Sequence, residues 1–360
     1  MSDADPAPAA EAAAPLAELD SQRATMARLR GGPVAGWPVD VTAAPLILDT
    51  DIGSDPDDAL ALAAAVFEVP ELGLVLTGDE TGPGAGGYGQ RARAARWLLD
   101  AAGRGDVPVA AGASLGDVDY FVLAGAVPGA VAAGGGDVVE AVTALAARTE
   151  GPLRWVGLAP MSNLARVVAE APQVAARLHV TQMGAAIHYR DPGRAEHNVR
   201  LDVDAARAVL VAAQTGSLAG LELVISDVTF TDQIAIGADH LLARRLAEDP
   251  SSWAQMLAVS LQRWFDHPCG YEHSMQHDAL TLSAALELPF VESFPAHVEF
   301  DPVGRLVETA AGPATPAGGQ VWVSRRADYP AFMRWLEQTL ATSHVAGPAL
   351  GLTGSRAAGV

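Results

Sequence analysis

The sequence contains no lysine, because all 23 of its Lys+Arg residues are arginines. Without lysine, the chain cannot form a Schiff base with a substrate or with pyridoxal phosphate, and it cannot supply the lysine of a P-loop. Cysteine is almost as scarce, since Cys269 is the single one. An internal disulfide and a cysteine-based zinc cluster are therefore excluded. We interpret Cys269 as a structural residue rather than a catalytic thiol.

Positive charge is also scarce. The 23 basic residues are outnumbered by 43 acidic ones, which gives a formal net charge of −20. This charge argues against nucleic-acid polymers and anionic membranes as partners, and a small neutral or cationic ligand, or a metal ion, fits better. No segment has the roughly 18 consecutive apolar residues of a membrane span.

The composition permits one large domain, because 50% of the residues are hydrophobic and only 18% are charged. Residues 1–43, rich in Ala, Pro and acidic residues, lack the basic start and apolar stretch of a signal peptide, so we expect a disordered lead-in and a cytoplasmic location. Residues 44–342 contain no convincing linker and are predicted to form a single catalytic domain. The Gly- and Ala-rich residues 343–360 are predicted to be a loose tail.

Strand-like and helical segments alternate through the first part of this domain. The predicted strands are 46–48, 72–77, 107–111, 153–158, 178–183 and 221–225. Helical patterns between them predict an α/β, Rossmann-like fold with a mostly parallel central sheet flanked by helices. Residues 236–286 read as helical only. Short strands with turn signals follow at 296–300, 305–309 and 320–323, which we expect to be antiparallel at one edge.

The stretch from Leu46 to Ala65 is the segment on which the interpretation of the other segments depends. Its three apolar residues, Leu46 to Leu48, lead directly into a loop with five aspartates, and an apolar helix begins after them. The aspartates are Asp49, Asp51, Asp55, Asp57 and Asp58. Clustered carboxylates repel one another unless a cation lies among them, and hard divalent cations such as Ca²⁺ or Mg²⁺ prefer oxygen ligands. The site is expected beyond the carboxyl end of the strand.

Polar residues follow other predicted strands in the same way. They are Asp79 and Glu80, Ser162 and Asn163, and Glu196, His197 and Asn198; His277 and Asp278 begin a late helix. Since parallel strands end at the same edge of a sheet, these groups are expected to meet in one pocket.

Taken in order, these segments resemble the inosine-uridine preferring nucleoside hydrolase family, a group of Ca²⁺-dependent N-ribohydrolases. The family's D-x-D-x-x-x-D-D signature occurs as Asp49 to Asp58, with two additional residues. Further similar segments lie later in the chain. They are Val107 to Gly112, Leu158 to Asn163, Met183-Gly184, Glu196 to Asn198, Asp202 to Ala206, and His277-Asp278. The resemblance covers roughly residues 44 to 342.

The resemblance implies hydrolysis of a ribonucleoside to free base and ribose by a Ca²⁺-bound water. Its implied Ca²⁺ ligands are Asp51, Asp58, Asp278 and the backbone carbonyl of Leu158. Asp57 would be the general base, and His277 would lie at the leaving base and assist its protonation. The implied substrate-binding residues are Asp79, Met183, Glu196, Asn198 and Asp278. The family also implies a homodimer or homotetramer.

These residue types suit the chemistry. Cleavage of an N-glycosidic bond gives the ribose oxocarbenium character, which carboxylates stabilise. A bound cation lowers the pKa of a water, and a neighbouring carboxylate takes its proton. Histidine suits proton delivery because it ordinarily titrates near neutral pH.

Three positions depart from the family pattern. Asp79 stands where asparagine is frequent, and Arg190 and Asp191 occupy the neighbourhood of an asparagine expected some eight residues before Asn198. A His-Gly loop is absent from residues 112–136. These departures leave the identity of the base and of the sugar's 5′ end open.

Two alternatives remain at this stage. A haloacid dehalogenase-like phosphatase would use Asp49 as nucleophile and Asp51 as acid, but it normally needs a lysine. A non-catalytic nucleoside- or ribose-binding protein would keep the pocket and lose the base, and the presence of Asp57 favours catalysis. An EF-hand is excluded by spacing, since Ser54 and Leu60 occupy its Gly and Glu positions.

Overall fold

The computed structural model describes six stretches of the 360-residue chain. They are residues 41–80, 87–116, 121–132, 134–269, 271–310 and 321–341. The predicted lead-in lies outside the described residues up to residue 40, and the predicted tail lies outside them entirely. No helix in the described stretches has the length and apolar character that a membrane span requires.

The described residues contain twelve strands, numbered here in chain order. They are β1 (Leu46–Thr50), β2 (Leu72–Thr77), β3 (Val109–Ala111), β4 (Leu153–Gly157), β5 (Leu178–Met183), β6 (Gly220–Val224), β7 (Ala235–Gly237), β8 (His273–Met275), β9 (Val291–Ala296), β10 (Val298–Phe300), β11 (Leu306–Glu308) and β12 (Val321–Ala327).

The same residues contain twelve α-helices and a 3₁₀ turn at Asp232–Ile234. The helices are α1 (Asp57–Glu68), α2 (Gln90–Ala101), α3 (Val138–Ala146), α4 (Ser162–Glu170), α5 (Pro172–Ala175), α6 (His197–Leu201), α7 (Val203–Gln214), α8 (Ser226–Thr229), α9 (Leu241–Glu248), α10 (Ser252–Phe265), α11 (His277–Ala285) and α12 (Tyr329–Ala341).

Eight of the strands form one central sheet in the order β3-β2-β1-β4-β5-β6-β12-β9. The pairings from β3 through β12 are parallel, and β9 pairs with β12 antiparallel. Strands β10 and β11, and β7 and β8, form two small antiparallel sheets. The predicted fold class, a mostly parallel sheet flanked by helices with short antiparallel strands, is confirmed.

The strand order changes direction between β1 and β4, which are neighbours in the sheet although two strands separate them in sequence. Every residue of both strands is buried. Fully buried parallel strands have apolar side chains on both faces, as β1 does with Leu46, Ile47 and Leu48. Ligands of open α/β sheets bind beyond the carboxyl ends of the strands at such a change of direction, and Asp49 to Asp58 begin there.

Helix α1 carries two of these aspartates into the interior of the protein. It packs against α2, α11 and α12, and its residues are buried from Asp57 to Val66. A helix that is apolar on all sides lies inside a protein, and the small alanine side chains of α1 permit this close packing. Its amino end, where the helix dipole favours negative charge, therefore holds Asp57 and Asp58 inside the domain.

The second half of the chain departs from the expected elements in two ways. Residues 236–286, predicted to be helical only, also contain most of β7 and all of β8. The antiparallel edge strand of the main sheet is β9, whereas residues 321–327 join the sheet parallel to β6 as β12. Three-residue strands are too short to show a period, and the place of β12 depends on pairing with a strand about 100 residues away.

Candidate active site

The loop after β1 folds back on the start of α1. The Thr50 hydroxyl donates to the Asp58 carboxylate, and the Asp51 amide donates to the same carboxylate at 3.1 Å. Gly53 has a φ of 111°, which residues with side chains rarely adopt, and the Phe121 ring occupies the space that a Cβ would need. The turn thus brings Asp51 next to Asp58.

A buried arginine of α2 supports this loop. The Arg91 side chain is 2% exposed and forms an ion pair with Asp79 at 3.7 Å. Its guanidinium donates to the carbonyls of Asp51, Ile52 and Asp79, the last at 2.7 Å. It also donates to the Ser54 hydroxyl at 3.1 Å. One fixed cation thereby satisfies several backbone oxygens of the aspartate loop.

Three aspartates form a tight group. Asp57, Asp58 and Asp278 each place a carboxylate oxygen within 4.8 Å of the others, and all three are buried. Burial raises the pKa of each of these carboxyls well above its ordinary value, and neighbouring carboxylates raise it further. Such a group needs either protons or a cation for compensation. Because its donors are all oxygens, it fits a hard divalent cation.

Asp51 lies beside this group rather than within it. Its side chain lines the same cavity, and its negative charge raises the pKa of Asp57, Asp58 and Asp278. The structure therefore brings the three carboxylates predicted to bind the metal, Asp51, Asp58 and Asp278, to one place together with Asp57.

These residues open onto a cavity of about 450 Å³, a size typical of small-molecule sites. Besides the aspartates, the cavity contains amide, aromatic, sulfur and imidazole groups. Its lining residues are Asp51, Ser54, Asp55, Asp57, Asp58, Leu158, Met183, Tyr189, Arg190, Glu196, His197, Asn198, Ser226, Phe230, Trp264, Tyr271, His273, Met275, His277 and Asp278.

Asn198 joins the ends of β4 and β5 at this cavity. Its side-chain amide donates to the Leu158 carbonyl at 2.7 Å and lies 3.4 Å from the Met183 carbonyl. The Leu158 amide in turn donates to the Asp49 carbonyl at 2.7 Å. A carbonyl oxygen has two lone pairs, so the Leu158 carbonyl can accept from Asn198 and still bind a cation.

The Glu196 carboxylate is compensated by backbone amides. It caps helix α6 by accepting hydrogen bonds from the amides of Asn198 and Val199, at 3.1 and 3.3 Å. It also accepts a hydrogen bond from the amide of Ala185 at 2.9 Å. Two amides at the amino terminus of α6 and the Ala185 amide after β5 together hold this buried side chain in one orientation.

Five polar residues singled out in the sequence are not among the lining residues of this cavity; they are Asp49, Asp79, Glu80, Ser162 and Asn163. Asp79 pairs with Arg91 and accepts from the Leu115 amide at 3.1 Å, and its φ of 41° is in the left-handed region. Asp49 accepts from the Asn163 amide at 2.8 Å, and burial raises its pKa to about 7. Contact of Asp79 with a ribose stays a prediction.

His277 has a lower pKa than its residue type predicts. Burial first, and the nearby charge of Arg190 second, lower the pKa of its imidazole to about 4. Its Nδ1 lies 2.8 Å from the Thr229 hydroxyl, and its ring stacks with Phe230 at a centroid distance of 6.1 Å. His277 is therefore neutral at neutral pH, whereas an ordinary histidine titrates near there.

Sequence reasoning missed several of the lining residues. Tyr271 stacks with Trp264 at a ring-centroid distance of 3.8 Å, Tyr189 and Phe230 come from connecting segments, and His273 begins β8. Asp55 was noted within the aspartate run without a role; burial raises its pKa to about 7, and Ser274 of β8 donates to it. Residues of irregular segments carry no periodic signal, and only their place after a strand or before a helix could have indicated them.

The parallel sheet and the buried carboxylates at its strand ends define an α/β protein with a candidate divalent-cation site inside a ligand-sized cavity. The profile of the inosine-uridine preferring nucleoside hydrolases matches residues 46–337. The chain belongs to this family, whose members are metal-dependent hydrolases of ribonucleoside N-glycosyl bonds.

Individual relatives agree with this assignment. The chain is 30% identical over 210 residues to the non-specific ribonucleoside hydrolase RihC of Salmonella paratyphi B; the alignment covers 54% of this chain and 64% of that relative.

Three solved structures share the fold. The plant nucleoside hydrolase PpNRh1 has a TM-score of 0.67 at 20% identity, covering 83% of this chain and 99% of its own. The purine-preferring ribonucleoside hydrolase from Gardnerella vaginalis has a TM-score of 0.64 at 20% identity, covering 82% of this chain and 98% of its own. The inosine-uridine preferring nucleoside hydrolase from Bacillus anthracis has a TM-score of 0.61 at 18% identity, covering 83% of this chain and 99% of its own.

Proposed function

We propose that this protein hydrolyses the N-glycosidic bond of a ribonucleoside to free base and ribose, with Ca²⁺ as its metal ion and Asp57 as general base. The observation that carries the proposal is the buried group of Asp57, Asp58 and Asp278, with Asp51 beside it, in a cavity that also contains aromatic side chains. The printed name of RihC, a ribonucleoside hydrolase, supports the same substrate class. A homo-oligomeric state and a cytoplasmic location stay predictions.

The donors for the ion are the carboxylates of Asp51, Asp58 and Asp278 and the Leu158 carbonyl. Carboxylates combined with a backbone carbonyl are a donor set typical of Ca²⁺ sites. When bound, Ca²⁺ would offset the negative charge, attract the sugar hydroxyls and lower the pKa of a coordinated water.

Asp57 takes the proton of the attacking water. The same burial that raises the pKa of its carboxyl makes this carboxylate a stronger proton acceptor than a solvated aspartate. As the C1′–N bond breaks, the sugar gains positive charge, and the surrounding carboxylates stabilise that charge. The water oxygen adds to C1′, and the bonding electron pair leaves with the base.

His277 assists the leaving base as a neutral hydrogen-bond donor. When the Thr229 hydroxyl donates to Nδ1, the ring proton lies on Nε2 and is available to the base. Glu196 and Asn198, each held by buried hydrogen bonds, together with Met183 and Asp278, orient the ribose.

An Asp57→Asn variant tests the proposal. The change keeps the shape of the side chain and removes the base, so kcat for release of free reducing sugar from a panel of ribonucleosides should fall by about 10²- to 10⁴-fold. The matched control is Asp204→Asn on the exposed face of α7, where the side chain is 96% exposed, and it should retain full activity.

Two outcomes would contradict the proposal. Unchanged sugar release in the Asp57→Asn variant would remove Asp57 from the mechanism. If the wild-type protein bound ribonucleosides and cleaved none of them, the non-catalytic binding protein would be the better interpretation.

A further inference from the structure

The charges that line the cavity are unevenly distributed. Six carboxylate residues line it, and Arg190 is the one arginine among the described lining residues. The Arg190 guanidinium lies over the rings of Phe230 and Tyr189, at 4.5 and 4.9 Å from their centroids. Within the described part of the chain, the Arg190 guanidinium contacts these two rings and forms no hydrogen bond or ion pair.

This arrangement leaves the hydrogen-bonding edge of Arg190 available to a ligand. Stacking on an aromatic ring occupies the flat face of a guanidinium and restricts its motion, while its N–H groups project outward in the plane. The fork of N–H donors matches a phosphate or carboxylate in a bidentate manner. An exposed guanidinium held flat by two rings is thus suited to bind an anion.

Arg190 lies on the same wall of the cavity as His277. Phe230 contacts both residues, since it stacks with His277 at an interplanar angle of 16° and lies under the Arg190 guanidinium. The charge of Arg190 also contributes to the lowered pKa of His277, which agrees with their proximity. The wall runs from His277, which is partly buried, to Arg190, which is exposed.

The stereochemistry of a ribonucleoside relates this wall to one end of the sugar. In a β-ribonucleoside the 2′- and 3′-hydroxyls lie on one face of the ring, and the base and C5′ lie on the other. If the carboxylate site holds the hydroxyls, as in the proposed function on which this inference rests, the base and C5′ project to the same side. A base next to His277 therefore places C5′ near the wall that contains Arg190.

We propose that Arg190 binds an anionic 5′ substituent, and that the preferred substrates of this chain are ribonucleoside 5′-phosphates. Glu196, a carboxylate lining the same cavity, is compensated by three backbone amides, which weakens its repulsion of a phosphate. The reaction adds the oxygen of water to C1′, breaks the C1′–N bond and releases the base with a proton. The other product is ribose 5-phosphate, and its ester bond stays intact.

Binding of the two sugars tests this subsite without turnover. In titration calorimetry with the full chain in Ca²⁺, ribose 5-phosphate should bind about tenfold or more tightly than ribose, because hydrogen bonds to charged groups contribute that much. Arg190→Gln should remove most of this preference. The control Arg194→Gln, an exposed arginine of the same loop that does not line the cavity, should preserve it.

A preference for ribose 5-phosphate that persists in Arg190→Gln would show that the phosphate binds elsewhere, the metal ion included, and would overturn the inference. Equal affinity of the wild type for the two sugars would overturn it as well. Release of base from inosine and from inosine 5′-phosphate tests the proposed hydrolase function separately from the phosphate subsite. Cleavage of neither compound, with Arg190-dependent binding of ribose 5-phosphate, would reject the proposed function and keep the subsite.

Discussion

A single buried arginine supports the carboxylates of the candidate site from behind. Arg91 reaches from α2 to the carbonyls of Asp51 and Ile52, and it pairs with Asp79. A buried ion pair contributes little net stability by itself, but removal of one partner leaves the other charge and its acceptors unpaired. The position of the aspartate loop therefore depends on this cation.

Replacement of Arg91 by methionine should lower the free energy of unfolding by about 3 kcal/mol or more, because it removes the ion-pair partner of the buried Asp79 carboxylate and the guanidinium that donates to three buried carbonyls. Urea denaturation followed by circular dichroism measures the change. Arg148→Met is the control: this exposed arginine, just after α3, donates to the Ala144 carbonyl of that helix, so its loss should cost only about 0.5 kcal/mol. Similar losses for both variants would mean that Arg91 does not support the loop.

At the residue scale, the sequence predicted the acidic residues of the site better than the arginines that contact them and their neighbours. The run from Asp49 to Asp58 was visible because five like charges in one loop require compensation. Arg91 and Arg190 were not assigned roles, because Asp51 and Phe230, which they contact, lie 40 residues away in the sequence, and arginines on a helix and in a loop are usually surface residues. The low pKa of His277 follows from burial, which its neighbours in sequence do not reveal.

One glutamine side chain links the carboxyl ends of the adjacent strands β4 and β5. The Gln182 amide donates to the carbonyls of Ala159 and Met183, at 2.9 and 2.8 Å. It lies directly over Gly157, and a Cβ on that glycine would overlap it. The absence of a side chain at Gly157 thus permits the contact that fixes the backbone on both sides of Leu158.

A Gly157→Ala variant should displace Gln182 and lower the free energy of unfolding by about 1–3 kcal/mol, the usual cost of overpacking. Calcium affinity, measured by titration calorimetry, should fall as well, since the Leu158 carbonyl is a proposed ligand. Gly73→Ala on β2 is the control: its Cβ would meet the end of the flexible Leu145 side chain at 3.0 Å, which can move. Equal effects of the two substitutions would show that Gln182 adjusts without cost.

At the element scale, the long segments were predictable and the short ones were not. Strands β1, β2 and β5 and helices α2 and α7 have a length and an apolar pattern that local reasoning detects. Helix α6 was not predicted, because its five residues, His197–Leu201, are mostly polar. The strand predicted at 296–300 corresponds to β10, whereas β9 was not predicted, since no periodic pattern marks it off from its neighbour.

For the molecule as a whole, the candidate site opposes folding when no cation is bound. A chain with a net charge of −20 buries Asp49, Asp51, Asp57, Asp58 and Asp278 near one another, and burial raises the pKa of four of them. A carboxyl whose pKa is raised on folding binds protons more strongly in the folded state. Its contribution to stability is therefore present below the unfolded pKa of 3.8 and is lost as the pH rises through the folded value, about 7 for Asp49.

Calcium should reverse this loss, because a divalent cation takes the place of the protons. We expect added Ca²⁺ to raise the melting temperature clearly near pH 7 and much less near pH 5, where protons compete for the same carboxylates. Binding only the folded state stabilises it by about 2.7 kcal/mol when the ion is a hundredfold above its Kd. Calorimetric melting with Ca²⁺ or with a chelator at the two pH values measures the effect, and Asp278→Asn should reduce it while Asp204→Asn leaves it unchanged. A melting temperature near pH 7 that does not respond to Ca²⁺ in the wild type would mean that these buried aspartates are held by protons, and that the cavity is not a calcium site.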